Sequence, residues 1–220
     1  MSLFPDVVSK NASSIISPPL PDSLPEFDSP LRLGILASGS GSNMEAIAQA
    51  IQSGWLQAQI QVVIYNNPQA HVAQRAQQWD IPSMLLNHRH FASREALDEQ
   101  IIQTLQAYEV DWVIMAGWMR RVTEVLIGAF PRRVLNIHPS LLPSFPGIRA
   151  VEQALQAGAK VAGCTVHYVE LEVDSGPIVM QAAVPVLPGD TPETLQARIQ
   201  QQEHRIYPVA IALAATVPPK

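Results

Sequence analysis

The chain has 220 residues, 47% of them apolar and 15% charged, a composition that suits one tightly packed sheet-and-helix domain better than a disordered or coiled-coil protein. Its 14 basic and 19 acidic side chains give a formal charge of −5, which argues against a broad nucleic-acid surface and means that any bound phosphate needs local donors. Cys164 is the only cysteine, so an internal disulfide and a multi-cysteine metal site are excluded and a reducing, cytoplasmic setting is expected. No apolar run approaches the ~20 residues of a membrane span and none looks like a signal-peptide core, so a soluble protein without a membrane partner is expected.

Residues 1–30 are rich in Ser and Pro, with Asp6, Asp22, Glu26 and Asp28 outnumbering Lys10. They show neither helical nor strand periodicity, so a flexible extension is expected, and its acidity speaks against an organelle-targeting peptide. From Leu31 short apolar runs alternate with amphipathic stretches, the pattern of strands joined by crossover helices. Strands are predicted at 31–37, 60–65, 83–86, 112–116 and 134–138, and helices at 43–52, 72–79 and 93–108, the last with a Ser93 cap. After Pro146 a helix is predicted at 151–157, followed by strands at 165–169 and 178–184. These two flank the turn Asp174-Ser175-Gly176-Pro177, more hairpin than crossover. A helix at 192–214 closes the domain and leaves a short tail, 215–220. The expected fold is α/β: a single open, mostly parallel twisted sheet with helices on both faces and an antiparallel edge hairpin. The corresponding domain spans 31–214.

Gly39-Ser40-Gly41-Ser42-Asn43 lies between the first predicted strand and helix, where free backbone N–H groups and the positive helix end suit a phosphate. The dinucleotide pattern would want a third glycine at Met44 and an acid closing the second strand, which instead ends Ile64-Tyr65-Asn66, so NAD is disfavoured and a monophosphate fits better. An ordinary tight turn with a Ser or Asn cap is the plainer alternative. Asn136-Ile137-His138-Pro139 puts Asn136 and His138 on one side of a strand, at the carboxyl end where open α/β sheets place ligands. Taken alone, a His after a strand is more often a core or capping residue.

Asp174 could orient His138 and favour its imidazolium form if the fold brings them together, or could simply serve the turn. His167 reads as a satisfied core residue and Cys164 as a small residue entering a strand rather than a nucleophile. Gly117-Trp118-Met119-Arg120-Arg121-Val122 offers open backbone, an apolar wall and cations for a flat ligand, or is a loop with solvated arginines. Glu203 and Arg94 on their own read as solvated helix charges.

Taken together and in this order, the Gly39-to-Asn43 loop, Asn66-Asn67, Phe91-Ala92-Ser93-Arg94-Glu95, Gly117-Trp118-Met119-Arg120, Asn136 to Pro143, Pro146-Gly147, Asp174-Ser175-Gly176-Pro177 and Gln202-Glu203-His204 resemble the folate-dependent phosphoribosylglycinamide formyltransferases, from Leu31 to about Ala212. The resemblance implies Asn136, His138 and Asp174 as catalytic residues. It implies Gly41, Ser42, Asn43 and Glu203 as contacts of the ribonucleotide substrate. Arg94, Met119, Arg120, Arg121, Val122 and Asn136 would contact 10-formyltetrahydrofolate, the co-substrate, with the 170–174 loop bordering the pterin.

The implied reaction is formyl transfer to the amine of glycinamide ribonucleotide in purine synthesis, needing no metal and no nucleic-acid partner, by a monomer or homodimer. Ser144-Phe145 and Trp118 depart from the family's frequent residues. The alternatives are a formyltransferase for another amine acceptor and a catalytically silent nucleotide-binding module.

Overall fold

The structure is a computed structural model that describes residues 15–216. Residues 1–14 and 217–220, the first half of the expected extension and most of the expected tail, lie outside the described residues. In chain order the elements are β1 (Ile15–Ser17), β2 (Leu31–Ala37), α1 (Ser42–Gln52), β3 (Ala58–Tyr65), α2 (Val72–Gln78), β4 (Ser83–Leu85), a 3-10 turn at His88–His90, α3 (Arg94–Ala107), β5 (Trp112–Met115), α4 (Glu124–Ala129), β6 (Val134–His138), α5 (Ala150–Gln156), β7 (Val161–Tyr168), β8 (Ile178–Pro185) and α6 (Pro192–Ala215).

Strands that read as unbroken apolar runs must be covered on both faces, and the parallel half of the sheet obeys this. Leu33, Ile35 and Ala37 of β2 pack into one core with Ile114 and Leu135, while Leu36 packs into the second core with Val113, Met115 and Val134. A register shift between Leu33 and Gly34 of β2 places one extra residue, Gln61, in β3, so Ile60 and Val63 face the same core despite their odd spacing. Such a bulge exchanges the faces of every later residue in the strand.

One eight-stranded sheet results, in the order β1-β8-β7-β6-β5-β2-β3-β4. The pairs β2·β3, β3·β4, β2·β5 and β5·β6 are parallel, whereas β6·β7, β7·β8 and β1·β8 are antiparallel. From β2 the chain builds outward through β3 and β4, then returns to the other side with β5. The gap between the β2 and β5 carboxyl ends is therefore a topological switch point, where such sheets open a crevice. The two loops there are tied together: Ser38 N–H donates to the Gly117 carbonyl at 3.0 Å, and Met119 N–H to the Ser38 hydroxyl at 2.8 Å.

The long helix α6 starts on a Thr191 capping box with Pro192 in the first turn, a combination that satisfies orphan amides at the helix entry. It buries Leu195, Ile199, Ile206, Tyr207 and Ile211 against the sheet. The Tyr207 hydroxyl reaches the carbonyls of Met115 and Leu135, both at 3.2 Å, and so ties the helix to β5 and β6. Among the described residues no helix is long and apolar enough to cross a membrane.

Three features depart from the sequence expectation. Within the stretch expected to be a flexible extension, Ile15–Ser17 pairs with Ala183, Ala182 and Gln181 at the edge of β8, and Ile16, Leu20, Leu24 and Phe27 pack against the first core. The Gln57 carboxamide meets the Phe27 backbone as another strand would, accepting from N–H at 2.7 Å and donating to C=O at 2.9 Å. A three-residue strand is too short to show periodicity, and an open edge supplies the pairing that local propensity does not. Helix α4 was not predicted. Its entry is fixed from a distance, since buried Asp98 on α3 accepts from Thr123 N–H at 2.6 Å. Finally, β7 begins four residues earlier than expected, at Val161.

Candidate active site

The β2–α1 connection forms one wall of the site. Gly41 precedes α1 with φ +78°, and a Cβ there would meet Val72 at 2.7 to 2.9 Å; only glycine allows both the left-handed turn and the close approach of α2. No side chain caps α1, so its first-turn amides are left to other acceptors. Asn43 is buried and donates from Nδ2 to Glu203 Oε2 at 2.8 Å, while its Oδ1 is buried without a partner. Burial raises the Glu203 carboxyl above its ordinary range, with the Asn43 hydrogen bond opposing.

The opposite wall is assembled by strand register. In β6, Val134 faces the second core while Leu135 and Ile137 face the first, so Asn136 and His138 project from the same face as Val134. β7 runs antiparallel to β6 with His167 opposite Asn136 and Thr165 opposite His138. The β7–β8 connection then delivers Asp174, at φ +57°. Its Oδ2 lies 3.3 Å from His138 Nδ1 and its Oδ1 3.6 Å from His167 Nε2. His167 Nε2 also lies 3.2 Å from Asn136 Nδ2, and its Nδ1 faces the Tyr168 carbonyl at 2.8 Å. Four side chains thus form one array, Asn136–His167–Asp174–His138.

The loop after β6 locks this array. His138 Nε2 lies 2.9 Å from the Phe145 carbonyl, and Gly147 N–H donates to Asp174 Oδ2 at 2.8 Å. Thr165 Oγ1 donates to the Ser140 carbonyl and accepts from Leu142 N–H, and Gln181 donates to the Leu142 carbonyl. Both His138 ring nitrogens therefore face oxygen acceptors, Asp174 Oδ2 and the Phe145 carbonyl. For Asp174, burial pushes the carboxyl up, but hydrogen bonds from His167 and Gly147 and the nearness of His138 outweigh it and hold it below its usual value.

A cavity of about 690 Å³ joins the two walls. Of the residues expected at the site, Gly41, Ser42, Asn43, Met119, Arg120, Arg121, Asn136, His138, Asp174 and Glu203 line it. Val122 instead packs in the second core, and Arg94 stands exposed at the start of α3, outside the lining. His167 is buried and hydrogen-bonded, as expected of a satisfied core residue, and it also joins Asn136 to Asp174. Its even spacing with Thr165 on a strand whose other face is apolar was the available signal. Gln196, Gln200 and Arg149 also line the cavity without having been singled out. Cys164 is fully buried on the far face of β7, and burial and nearby Glu203 push its thiol well up, which leaves no thiolate for nucleophilic work.

Known proteins resemble this chain in both sequence and fold. Residues 31–211 match the formyl transferase family. The chain is 42% identical over 180 residues to phosphoribosylglycinamide formyltransferase of Bacillus subtilis, covering 82% of this chain and 92% of that protein. It is 43% identical over 184 residues to the trifunctional purine biosynthetic protein adenosine-3 of Drosophila melanogaster, covering 83% of this chain but spanning only 14% of the relative's length. The crystal structure of glycinamide ribonucleotide transformylase 1 from Symbiobacterium toebii superposes with a TM-score of 0.84 at 48% identity, covering 86% of this chain and 90% of that one. With a matched region that spans both cavity walls and every residue of the polar array, this chain belongs to the formyl transferase family.

Proposed function

We propose that the chain transfers the formyl group of 10-formyltetrahydrofolate to the amine of N1-(5-phospho-D-ribosyl)glycinamide, giving the N2-formyl product and tetrahydrofolate in de novo purine synthesis. The observation that carries this is the His138–Asp174 pair at 3.3 Å beside Asn136, facing across one cavity a glycine-turned helix entry suited to a phosphate. A helix entry with free amides would hold the ribonucleotide phosphate, and buried Glu203 and the free Asn43 Oδ1 supply acceptors for hydroxyls or amides beside it. Exposed Met119 and its neighbours Arg120 and Arg121 border the space for the flat, anionic folate.

The amine attacks the formyl carbon, and charge develops on the formyl oxygen as the carbon becomes tetrahedral. Donors preorganised at that point stabilise the transition state more than the ground state. Asn136 and His138 are placed to donate. His138 must turn its Nε2–H from the Phe145 carbonyl, or share it, to do so. Asp174 keeps the ring oriented and its positive charge compensated, so a proton can pass from the attacking amine toward the departing folate nitrogen. Holding both substrates against opposite walls removes much of the orientational cost of the bimolecular step.

The test is direct: purified protein given both substrates should release tetrahydrofolate and formylglycinamide ribonucleotide in equal amounts. Turnover with another amine acceptor in place of the ribonucleotide, or ligand binding without turnover, would overturn the assignment.

A further inference from the structure

The cavity has two sides, set by which core each bordering helix packs into. Arg120 and Arg121 lie on the β5–α4 connection, which enters the second core at Val122 and Leu126. Helices α1, α5 and α6 bury Ile47, Val151 and Ile199 in the first core, so they stand on the other side, where the helix entry suited to a phosphate also lies. Among the described residues these helices and their entries bring three charged side chains to the lining. Glu152 and Glu203 are acids, and Arg149, at the entry of α5, is the only base.

Arg149 is exposed and among the described residues reaches no carboxylate within 4.0 Å. Its main chain is anchored on both sides. Gly147 N–H donates to Asp174 Oδ2 at 2.8 Å, the Gln153 carboxamide donates to the Ile148 carbonyl at 2.9 Å, and Gln153 N–H donates to the Arg149 carbonyl at 3.0 Å. The left-handed backbone at Arg149, with φ +57° and ψ +40°, is therefore held by its surroundings, and the side chain leaves from a fixed point. Helix α6 packs against both α1 and α5. Packed helices are about 8–10 Å apart, so a phosphate at the α1 entry lies on the order of 15 Å from Arg149. A hydrogen bond does not span that distance, but a charge interaction does. Between one cation and a dianion in water it is worth about two- to threefold in occupancy when salt does not screen it.

We infer that Arg149 is a recruiting cation for the phosphate of the ribonucleotide: without touching the phosphate, it offsets Glu152 and Glu203 in the field that the ligand meets on this side of the cavity. The inference rests on the formyl-transfer function proposed above and deepens its ribonucleotide site. Without Arg149 the helix side of the lining is purely acidic and repels a phosphomonoester carrying nearly two negative charges. Walls of low dielectric concentrate such fields.

The experiment measures kcat/KM for each substrate at saturation of the other, in wild type, Arg149→Gln, Arg149→Lys and Glu152→Gln, at about 0.01 M and about 0.15 M ionic strength. At low salt Arg149→Gln should lower kcat/KM for the ribonucleotide about two- to threefold. Arg149→Lys should restore it, and Glu152→Gln should raise it by a similar factor. The differences should shrink at the higher salt, and kcat/KM for the folate should move much less. Opposite signs at neighbouring positions are what a field produces and a packing defect does not. A ribonucleotide kcat/KM unchanged by either charge removal, a loss independent of salt, or a larger change for the folate overturns the recruiting role while leaving formyl transfer intact. Absence of turnover by wild type overturns the parent function, and the recruiting role with it.

Discussion

The two walls of the cavity are made by different means. The β2–α1 wall is local: five consecutive residues and one glycine conformation produce a helix entry with free amides. The β6–β7 wall is assembled: Asn136, His138, His167 and Asp174 come from two antiparallel strands and a turn, and none is useful without register. A local wall offers mainly backbone groups and suits binding, whereas an assembled wall couples titratable side chains and suits proton movement. Damage to the assembled wall should therefore appear in kcat, and damage to the local wall in KM and stability.

The largest effect is expected at the centre of the assembled wall. His138→Ala removes the side chain proposed as proton donor and should lower kcat by about a thousandfold, while the ribonucleotide KM changes little. Single-turnover and steady-state rates with purified variant would show it, and retained kcat would refute the role given to the ring. Next comes His167→Leu, which deletes the link between Asn136 and Asp174. A misplaced Asn136 and a less constrained Asp174 should cost up to about a hundredfold in kcat.

The same variant carries a pH signature. The Asp174 carboxyl is held below its unfolded value of 3.8, so its stabilisation is complete above that pH and is lost as pH falls through the lower folded value. Removing His167 takes away part of what holds it down. The stability difference between wild type and His167→Leu should thus be present at pH 6 and shrink as the solution is acidified below 3.8. A difference independent of pH would mean that His167 acts only through packing.

The same contrast explains what could be read in the sequence. The Gly39-to-Asn43 loop was legible because its physics is contiguous: strand, glycine turn and helix follow one another. The parallel strands were legible because burial on both faces leaves an unbroken apolar run. Asn136 and His138 were placed on one strand face by period alone, but their link to Asp174 required knowing that β7 returns antiparallel with His167 opposite Asn136. Nothing local announces that pairing, so His167 read as a core residue. Helix α4 and strand β1 were hidden for a related reason: the carboxylate that anchors the α4 entry is 25 residues back on α3, and β1 exists because a distant edge pairs with it. Arg94, which the family resemblance put on the folate, stands exposed at the start of α3 beside the cavity lining rather than in it.

The local wall should respond differently. Gly41→Ala places a Cβ against Val72 in a left-handed backbone position, which should cost roughly 2 kcal/mol and lower Tm by about 4–8 °C. The ribonucleotide KM should rise while the folate KM and kcat hold. A fall in kcat with unchanged ribonucleotide KM would contradict the division of labour between the walls.

The smallest and most diagnostic effect is expected at Glu203, where binding and stability should pull apart. Its carboxyl is raised by burial above the ordinary 4.5, so the folded state holds the proton longer than the unfolded state does. The sign follows: its contribution is complete below pH 4.5 and declines as pH rises through the folded value. At pH 8 the buried carboxylate is a net cost. Asn43 keeps an acceptor in Glu203→Gln, while the charge is gone. The variant should match wild type in thermal unfolding at pH 4 and exceed it at pH 8 by about 1 kcal/mol, yet bind the ribonucleotide less tightly because one of the two carboxyl oxygens able to accept from substrate hydroxyls or amides has been replaced by a donor. Equal stability at pH 8 would mean that the Asn43 hydrogen bond already offsets the buried charge. The local wall would then be a settled piece of the core rather than a site held at the expense of stability.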